Sequence, residues 1–268
     1  MSTVQRFAGR TALVTGASSG IGEAFARALA ARGTALILSA RNGQRLAALA
    51  TELTAAHGIA AISLPADLSR EGGAAALVAA VQERGLTVDL LVNNAGFSNQ
   101  GPFAELDGAK EQGEIQVNVA SVVALSRAFL PPMIERHAGA IVNVASVVAY
   151  FPLPYQGVYG ASKAFVLSFS HSLAAELHGT GVQVLAVCPG TTATNFFSAM
   201  GSNHLLEQAG RFNGLRTPQQ VAATALRALE RGHSLAVDGA ANRALTIVTG
   251  LLPAAALARV IARVTRPD

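Results

Sequence analysis

Seven short, almost wholly apolar runs recur along this 268-residue chain, separated by longer Ala-rich segments. The runs are Thr11 to Thr15, Ala35 to Ser39, Ala60 to Leu64, Val88 to Val92, Ala140 to Ala145, Val182 to Cys188 and Ser234 to Val237. A strand that is apolar at nearly every position is covered on both faces. Between the runs, Gly22 to Arg32, Gln44 to His57, Glu71 to Arg84, Lys110 to Arg136, Lys163 to Leu177 and Pro218 to Arg231 carry helical periodicity. Alternating units of this kind predict an α/β fold, a doubly wound parallel sheet of about seven strands with helices on both faces. No linker, low-complexity tract or repeat divides the chain, so a single domain is expected. It would cover residues 1–240, with residues 241–268 as an extension that is not an independent domain.

Composition narrows the function classes. At 51% hydrophobic residues the chain is too apolar for disorder, and its one cysteine, Cys188, allows no disulfide framework and no metal set. Cys188 lies in an apolar run and reads as a small buried hydrophobe. The net charge of +4 permits a nucleic-acid partner, but the arginines are scattered and no basic run interleaves with aromatics, so none is expected. Met1 to Arg10 has no stretch of signal-peptide length, and a cytoplasmic location is the default. The segment Ala244 to Ala258 is strongly apolar but is broken by Gly250 and Pro253, and it falls short of the ~20 residues that a spanning helix needs.

The first run leads directly into Thr15-Gly16-Ala17-Ser18-Ser19-Gly20-Ile21-Gly22, and a helix follows. Glycines let the backbone turn sharply and approach an anion, while the next helix offers free N–H groups and its positive dipole end. The Gly-xxx-Gly-x-Gly spacing departs from the Gly-x-Gly-x-x-Gly fingerprint, and a turn that merely packs strand on helix is the bland alternative. Further elements stand at carboxyl ends of strands, where open parallel sheets bind ligands. Asn93-Asn94-Ala95-Gly96 follows the fourth strand, Ser146 the fifth, Tyr159-Gly160-Ala161-Ser162-Lys163 opens a helix, and Pro189-Gly190 closes the sixth strand. Tyr159 and Lys163 are four residues apart on a helix and share a face. A neighbouring ammonium favours a phenolate, which makes Tyr159 a general acid or base near neutral pH. Ser146 is placed to hold the same substrate oxygen.

With Asp67-Leu68 after the third strand and Asn118 in the long middle helix, this ordered set resembles the short-chain dehydrogenase/reductase family from Thr11 to about Val237. The resemblance implies a Rossmann-like fold and an oxidoreductase that moves a hydride between a nicotinamide dinucleotide and a carbonyl or secondary alcohol. It implies Asn118, Ser146, Tyr159 and Lys163 as the catalytic set, with Asn118 positioning a relay water and Ser146 and Tyr159 touching substrate. It assigns Gly16, Ser18, Ser19, Gly20 and Ile21 to the pyrophosphate and adenosine side, and Asp67 and Leu68 to the adenine ring. Asn94, Ala95 and Gly96 would approach the riboses, Tyr159 and Lys163 the nicotinamide ribose, and Pro189, Gly190, Thr192 and Thr194 the nicotinamide amide and phosphates. A homodimer or homotetramer is likewise implied.

At the end of the second run, an acid that would bind a ribose is absent and Arg41 is present, which suits a 2′-phosphate. NADP(H) is therefore the expected cofactor, with NAD(H) still possible because Ser19 stands where some NADP-dependent relatives carry a basic residue. Two apolar segments would border the substrate: Val147 to Tyr155, and Thr191 to Phe212 with Phe196, Phe197, Met200, Leu205 and Leu206. They favour an apolar carbonyl or alcohol, unless they pack against the sheet or another subunit. Arg259, Arg263 and Arg266 recur beside Leu257, Val260, Ile261 and Val264 at helical spacing. This tail resembles the extension of lipid- and steroid-active relatives. Covering the cleft, a subunit contact or completing the core is favoured over peripheral membrane contact. The alternative to an enzyme is a catalytically silent dinucleotide-sensing or interaction protein of the same fold.

Overall fold

The computed structural model describes residues 7–196 and 215–266. Seven strands form one sheet in the order β3-β2-β1-β4-β5-β6-β7. They are β1 (Thr11–Thr15), β2 (Ala35–Ser39), β3 (Ala61–Ser63), β4 (Leu90–Asn93), β5 (Gly139–Val144), β6 (Val182–Cys188) and β7 (Leu235–Val237). Every pairing is parallel, with Thr15 opposite Ser39 across β1–β2 and Val92 opposite Val142 across β4–β5. The direction of strand addition reverses between β1 and β4, and that switch point opens a crevice at the strands' carboxyl ends.

The helices are α1 (Gly20–Ala30), α2 (Gly43–His57), α3 (Gly73–Gln82), α4 (Gly108–Ile115), α5 (Ser121–Glu135), α6 (Gly157–Glu176), α7 (Pro218–Glu230), α8 (Ala240–Gly250) and α9 (Ala254–Thr265). Local chemistry sets several of their ends. Asn42 caps α2 by accepting from the Arg45 amide, and Gly58 ends it at φ +66°, a conformation that disfavours a side chain. Thr217 and Gln220 form a reciprocal capping box at the start of α7, with Pro218 in the first turn.

Each sheet face buries its own apolar layer. Phe25 and Leu29 of α1, Leu46 and Leu53 of α2 and Leu226 of α7 pack on one side, against Val14, Leu38 and Val187. Leu77 of α3, Leu125, Phe129 and Met133 of α5 and Leu173 of α6 pack on the other, against Leu13, Leu91 and Ile141. Each fully buried aliphatic or aromatic side chain contributes about 2 kcal/mol. Burial on both faces is why the strand sequences are apolar throughout.

One expectation changes. The long middle helix is not uniform, because Gln116–Ala120 between α4 and α5 forms a π turn that carries Asn118. The apolar stretch Ala244 to Ala258 is divided, as its Gly250 and Pro253 imply, between α8 and α9. The run Gly108–Glu135 is long and apolar enough to cross a membrane, but α5 buries Leu125, Phe129 and Met133 against the sheet.

Candidate active site

The glycine-rich turn runs from β1 into α1 and is shaped by backbone alone. Gly16 and Gly20 have φ of +65° and +58°. A Cβ on Gly16 would lie 2.7 Å from Asn94 Nδ2, and one on Gly22 would collide with the Gly16 carbonyl oxygen. The turn is bolted to the neighbouring strand end through Thr15. Its hydroxyl donates to the Val92 carbonyl at 3.2 Å and accepts from the Asn94 and Ala95 amides at 3.0 Å each. Asn94 Nδ2 in turn donates to the Thr15 carbonyl at 2.9 Å. Asn94 therefore shapes the cradle from below, a structural role that its motif did not reveal. Thr15 escaped notice because a strand threonine carries no signal of its own.

Around this turn, Ser18 and Ser19 are half-buried, and Ile21 packs on the core below. Asp67 accepts from the Ser69 hydroxyl at 2.6 Å and faces Arg70 at 3.3 Å, which holds its carboxyl below the usual range. Leu68 is buried in the second core layer, so it can offer a ligand only its backbone. Arg41 is exposed at the end of β2, close enough to Asp67 to act on its charge. Thr194 lies over Gly20, 3.0 Å from where a Cβ would stand. Thr192 is buried and donates to the Gly190 carbonyl at 2.9 Å. The turn, Asp67, Arg41 and residues 189–194 border the same end of the sheet. This glycine-bounded hollow fits a dinucleotide, whose phosphates need close backbone approach.

The four residues expected to do chemistry converge beside it. Ser146 lies just beyond β5, close enough to the Tyr159 phenol to act on its charge, and accepts from the Val148 amide at 3.3 Å. Lys163, one turn after Tyr159 on α6, is buried; its Nζ donates to the Val144 carbonyl at 2.8 Å and stands 5.6 Å from the centre of the Tyr159 ring. Asn118 Nδ2 donates to the Phe97 carbonyl at 3.0 Å and to Ser162 Oγ at 3.1 Å, and its Oδ1 accepts from the Phe97 amide at 3.3 Å. Gly96 separates Asn118 from Lys163, since a Cβ there would stand 2.8 Å from Asn118 Oδ1 and 3.6 Å from Lys163 Nζ.

The electrostatics depart from expectation in one respect. Tyr159 is not turned toward the phenolate by Lys163. Burial pushes the phenol well above its ordinary range, the Ser146 hydroxyl offsets only part of this, and the Glu114 carboxyl adds to it. Burial also brings Lys163 down to about 8. The protein alone thus holds Tyr159 as a neutral phenol, the form that donates a proton.

On the substrate side, the Tyr159 and Phe196 rings stand 5.4 Å apart. Tyr150 reaches the buried Cys188 below, and Tyr155 holds φ +63° while its carbonyl accepts from the Gly101 amide at 2.9 Å. Phe197, Met200, Leu205 and Leu206 lie outside the described residues. The tail packs against this region. Asn242 of α8 donates to the Asp238 carbonyl at 2.6 Å and fills the space beside Gly190, and Thr265 of α9 donates to the Pro154 carbonyl at 3.2 Å. Asp238 is itself held by Arg216 at 2.7 and 2.9 Å and by Thr224 at 2.7 Å. These long-range anchors were invisible in sequence.

A parallel sheet with a glycine cradle at its switch point and a Ser, Tyr and Lys cluster beside it defines a dinucleotide-dependent oxidoreductase of the class acting on CH–OH groups. More particularly, the chain belongs to the short chain dehydrogenase family, which it matches over residues 10–204. It is 44% identical to a short chain dehydrogenase of Pseudocercospora fijiensis over 68% of this chain and 60% of that protein. Among solved structures, a short-chain dehydrogenase from Sphingobium yanoikuyae in complex with NADPH is 35% identical, with a TM-score of 0.78 and coverage of 85% of this chain and 87% of that one. A 7beta-hydroxysteroid dehydrogenase is 26% identical, with a TM-score of 0.86 and coverage of 98% of this chain and 100% of that one.

Proposed function

We propose that this protein is an NADP-dependent carbonyl reductase or alcohol dehydrogenase acting on an apolar substrate, with Tyr159 as its general acid and base. The observation that carries the reading is the meeting of Ser146, Tyr159 and Lys163 beside a backbone-lined cradle. A dinucleotide bound there would supply or accept the hydride. Gly16, Ser18, Ser19, Gly20 and Ile21 would hold its pyrophosphate, and Asn94, Ala95, Gly96, Pro189, Gly190, Thr192 and Thr194 the remainder. In reduction, the neutral Tyr159 phenol donates its proton to the substrate oxygen, which Ser146 holds by a hydrogen bond. In oxidation, Tyr159 takes the alcohol proton. Lys163 stabilises the phenolate left after proton donation, and Asn118 holds the loop at Phe97 against α6.

The NADP preference is supported by exposed Arg41 at the end of β2 and by the NADPH carried by the Sphingobium relative. The apolar substrate is supported by the half-buried Tyr150, Phe151, Leu153, Tyr155 and Phe196 and by the hydroxysteroid named for another relative. NADPH oxidation should be followed across carbonyls graded in size and polarity, with NADH in parallel. Apolar ketones should turn over with NADPH, and Arg41→Ala should weaken NADPH about tenfold while sparing NADH. Turnover of hydrophilic sugars alone, or equal use of both cofactors unchanged by Arg41→Ala, would overturn it.

A further inference from the structure

Glu114, on the last turn of α4, enters the site so far only through its effect on Tyr159. Its side chain is fully buried, at 0% exposure. One carboxyl oxygen, Oε2, accepts from the Asn99 amide at 2.9 Å and from Asn99 Nδ2 at 3.0 Å, while Oε1 is buried with no hydrogen-bond partner. A carboxyl left half-satisfied in the interior costs free energy, and its retention calls for a reason. The charged and titratable groups that act on it are Glu111 on its own helix and Lys163 on α6; it acts in turn on Tyr159. α4 packs directly against α6, and Asn118 lies one helical turn beyond Glu114.

We propose that Glu114 is a positioning residue, an internal counter-ion that keeps the buried Lys163 ammonium charged and so sets the upper pH limit of the Tyr159–Lys163 pair. Lys163 has a single hydrogen bond, to the Val144 carbonyl, and no carboxylate within ion-pairing distance among the described residues. Desolvation therefore works against its charge; the Glu114 carboxylate is the first group that opposes it, with the Cys188 thiol of β6 adding less. Burial and neighbouring Glu111 raise Glu114 to about 7, whereas Lys163 lies at about 8. Between these two values, carboxylate and ammonium coexist in the interior. The idea rests on the proposed role of Lys163, but its consequence for charge can be measured without turnover.

The test is the urea-unfolding free energy from pH 5 to 10 for the wild type, Glu114→Gln, Glu114→Asp and Glu111→Gln. A raised carboxyl favours the folded state fully below its ordinary value of 4.5, and the advantage is lost as pH rises through about 7. A lowered lysine has the opposite effect: stability climbs again from about pH 8 toward 10.5. Glu114→Gln should abolish the fall and start the climb about one pH unit lower, because the ammonium has lost its counter-ion. Glu114→Asp and Glu111→Gln should leave the start of the climb near that of the wild type. If Glu114→Gln does not fold, a climb displaced in Glu114→Asp as well would still count against a counter-ion role, since the charge is retained there. A climb that starts at the same pH in the wild type and Glu114→Gln would overturn the proposal. The alkaline limb of kcat/KM should move with it, and absence of any carbonyl turnover by the wild type would contradict the functional reading and leave the stability result standing.

Discussion

The glycine turn between β1 and α1 and the helical flank formed by α8 and α9 border the same end of the molecule but are held by opposite means. In the turn there is no spare room: Gly16 and Gly22 admit no Cβ, and Thr15 and Asn94 tie it to β4 with four hydrogen bonds no longer than 3.2 Å. In the flank, Ile247, Leu251 and Val264 are 67%, 81% and 61% exposed, and α9 buries no residue fully. It is attached by the buried Asn242, Thr246 and Thr249 of α8 and by Thr265 of α9, which donates to the Pro154 carbonyl. The contrast is between a backbone surface with no room to give and a helical flank whose outer face is open.

Two substitutions would break or sharpen this contrast. The larger effect is expected at Gly22→Ala, where the new methyl meets the Gly16 carbonyl, an unyielding backbone atom. Stability to urea should fall by about 3 kcal/mol, as for overpacking at a rigid site, and a loss below about 0.5 kcal/mol would show that the cradle can relax. The smaller effect is expected at Val264→Ser on the outer face of α9. Stability of the isolated chain should change by no more than about 0.5 kcal/mol, as at other open surface positions. A clearly larger loss in chemical denaturation would mean that this face is covered in solution.

Legibility in the sequence followed the same division. β1, β2 and β6 were read with their observed ends because both of their faces are apolar and the following turns are marked by glycine, serine or proline. The edge strand β3 is shorter than its apolar run, since it has a partner on one side only. Tyr159 and Lys163 stood out because four-residue spacing on a helix is a local property. The π turn at Asn118 did not, since a shift in helix register is fixed by contacts with Phe97 and Ser162, distant in sequence. Glu114 was silent for a related reason: a glutamate after Gly113 near the start of a long helix looks solvated, and only the docking of α4 on α6 buries it. The burial that pushes the Tyr159 phenol up was not legible in the spacing, because it depends on how α6 is packed.

The central claim is that Tyr159 transfers the proton while the cradle holds the cofactor independently of it. The most direct measurement is NADPH oxidation by Tyr159→Phe with an apolar ketone, alongside fluorescence titration of NADPH. The rate should drop about a thousandfold, within the range for loss of a general acid, with NADPH affinity largely retained. Turnover at the wild-type rate would contradict the account.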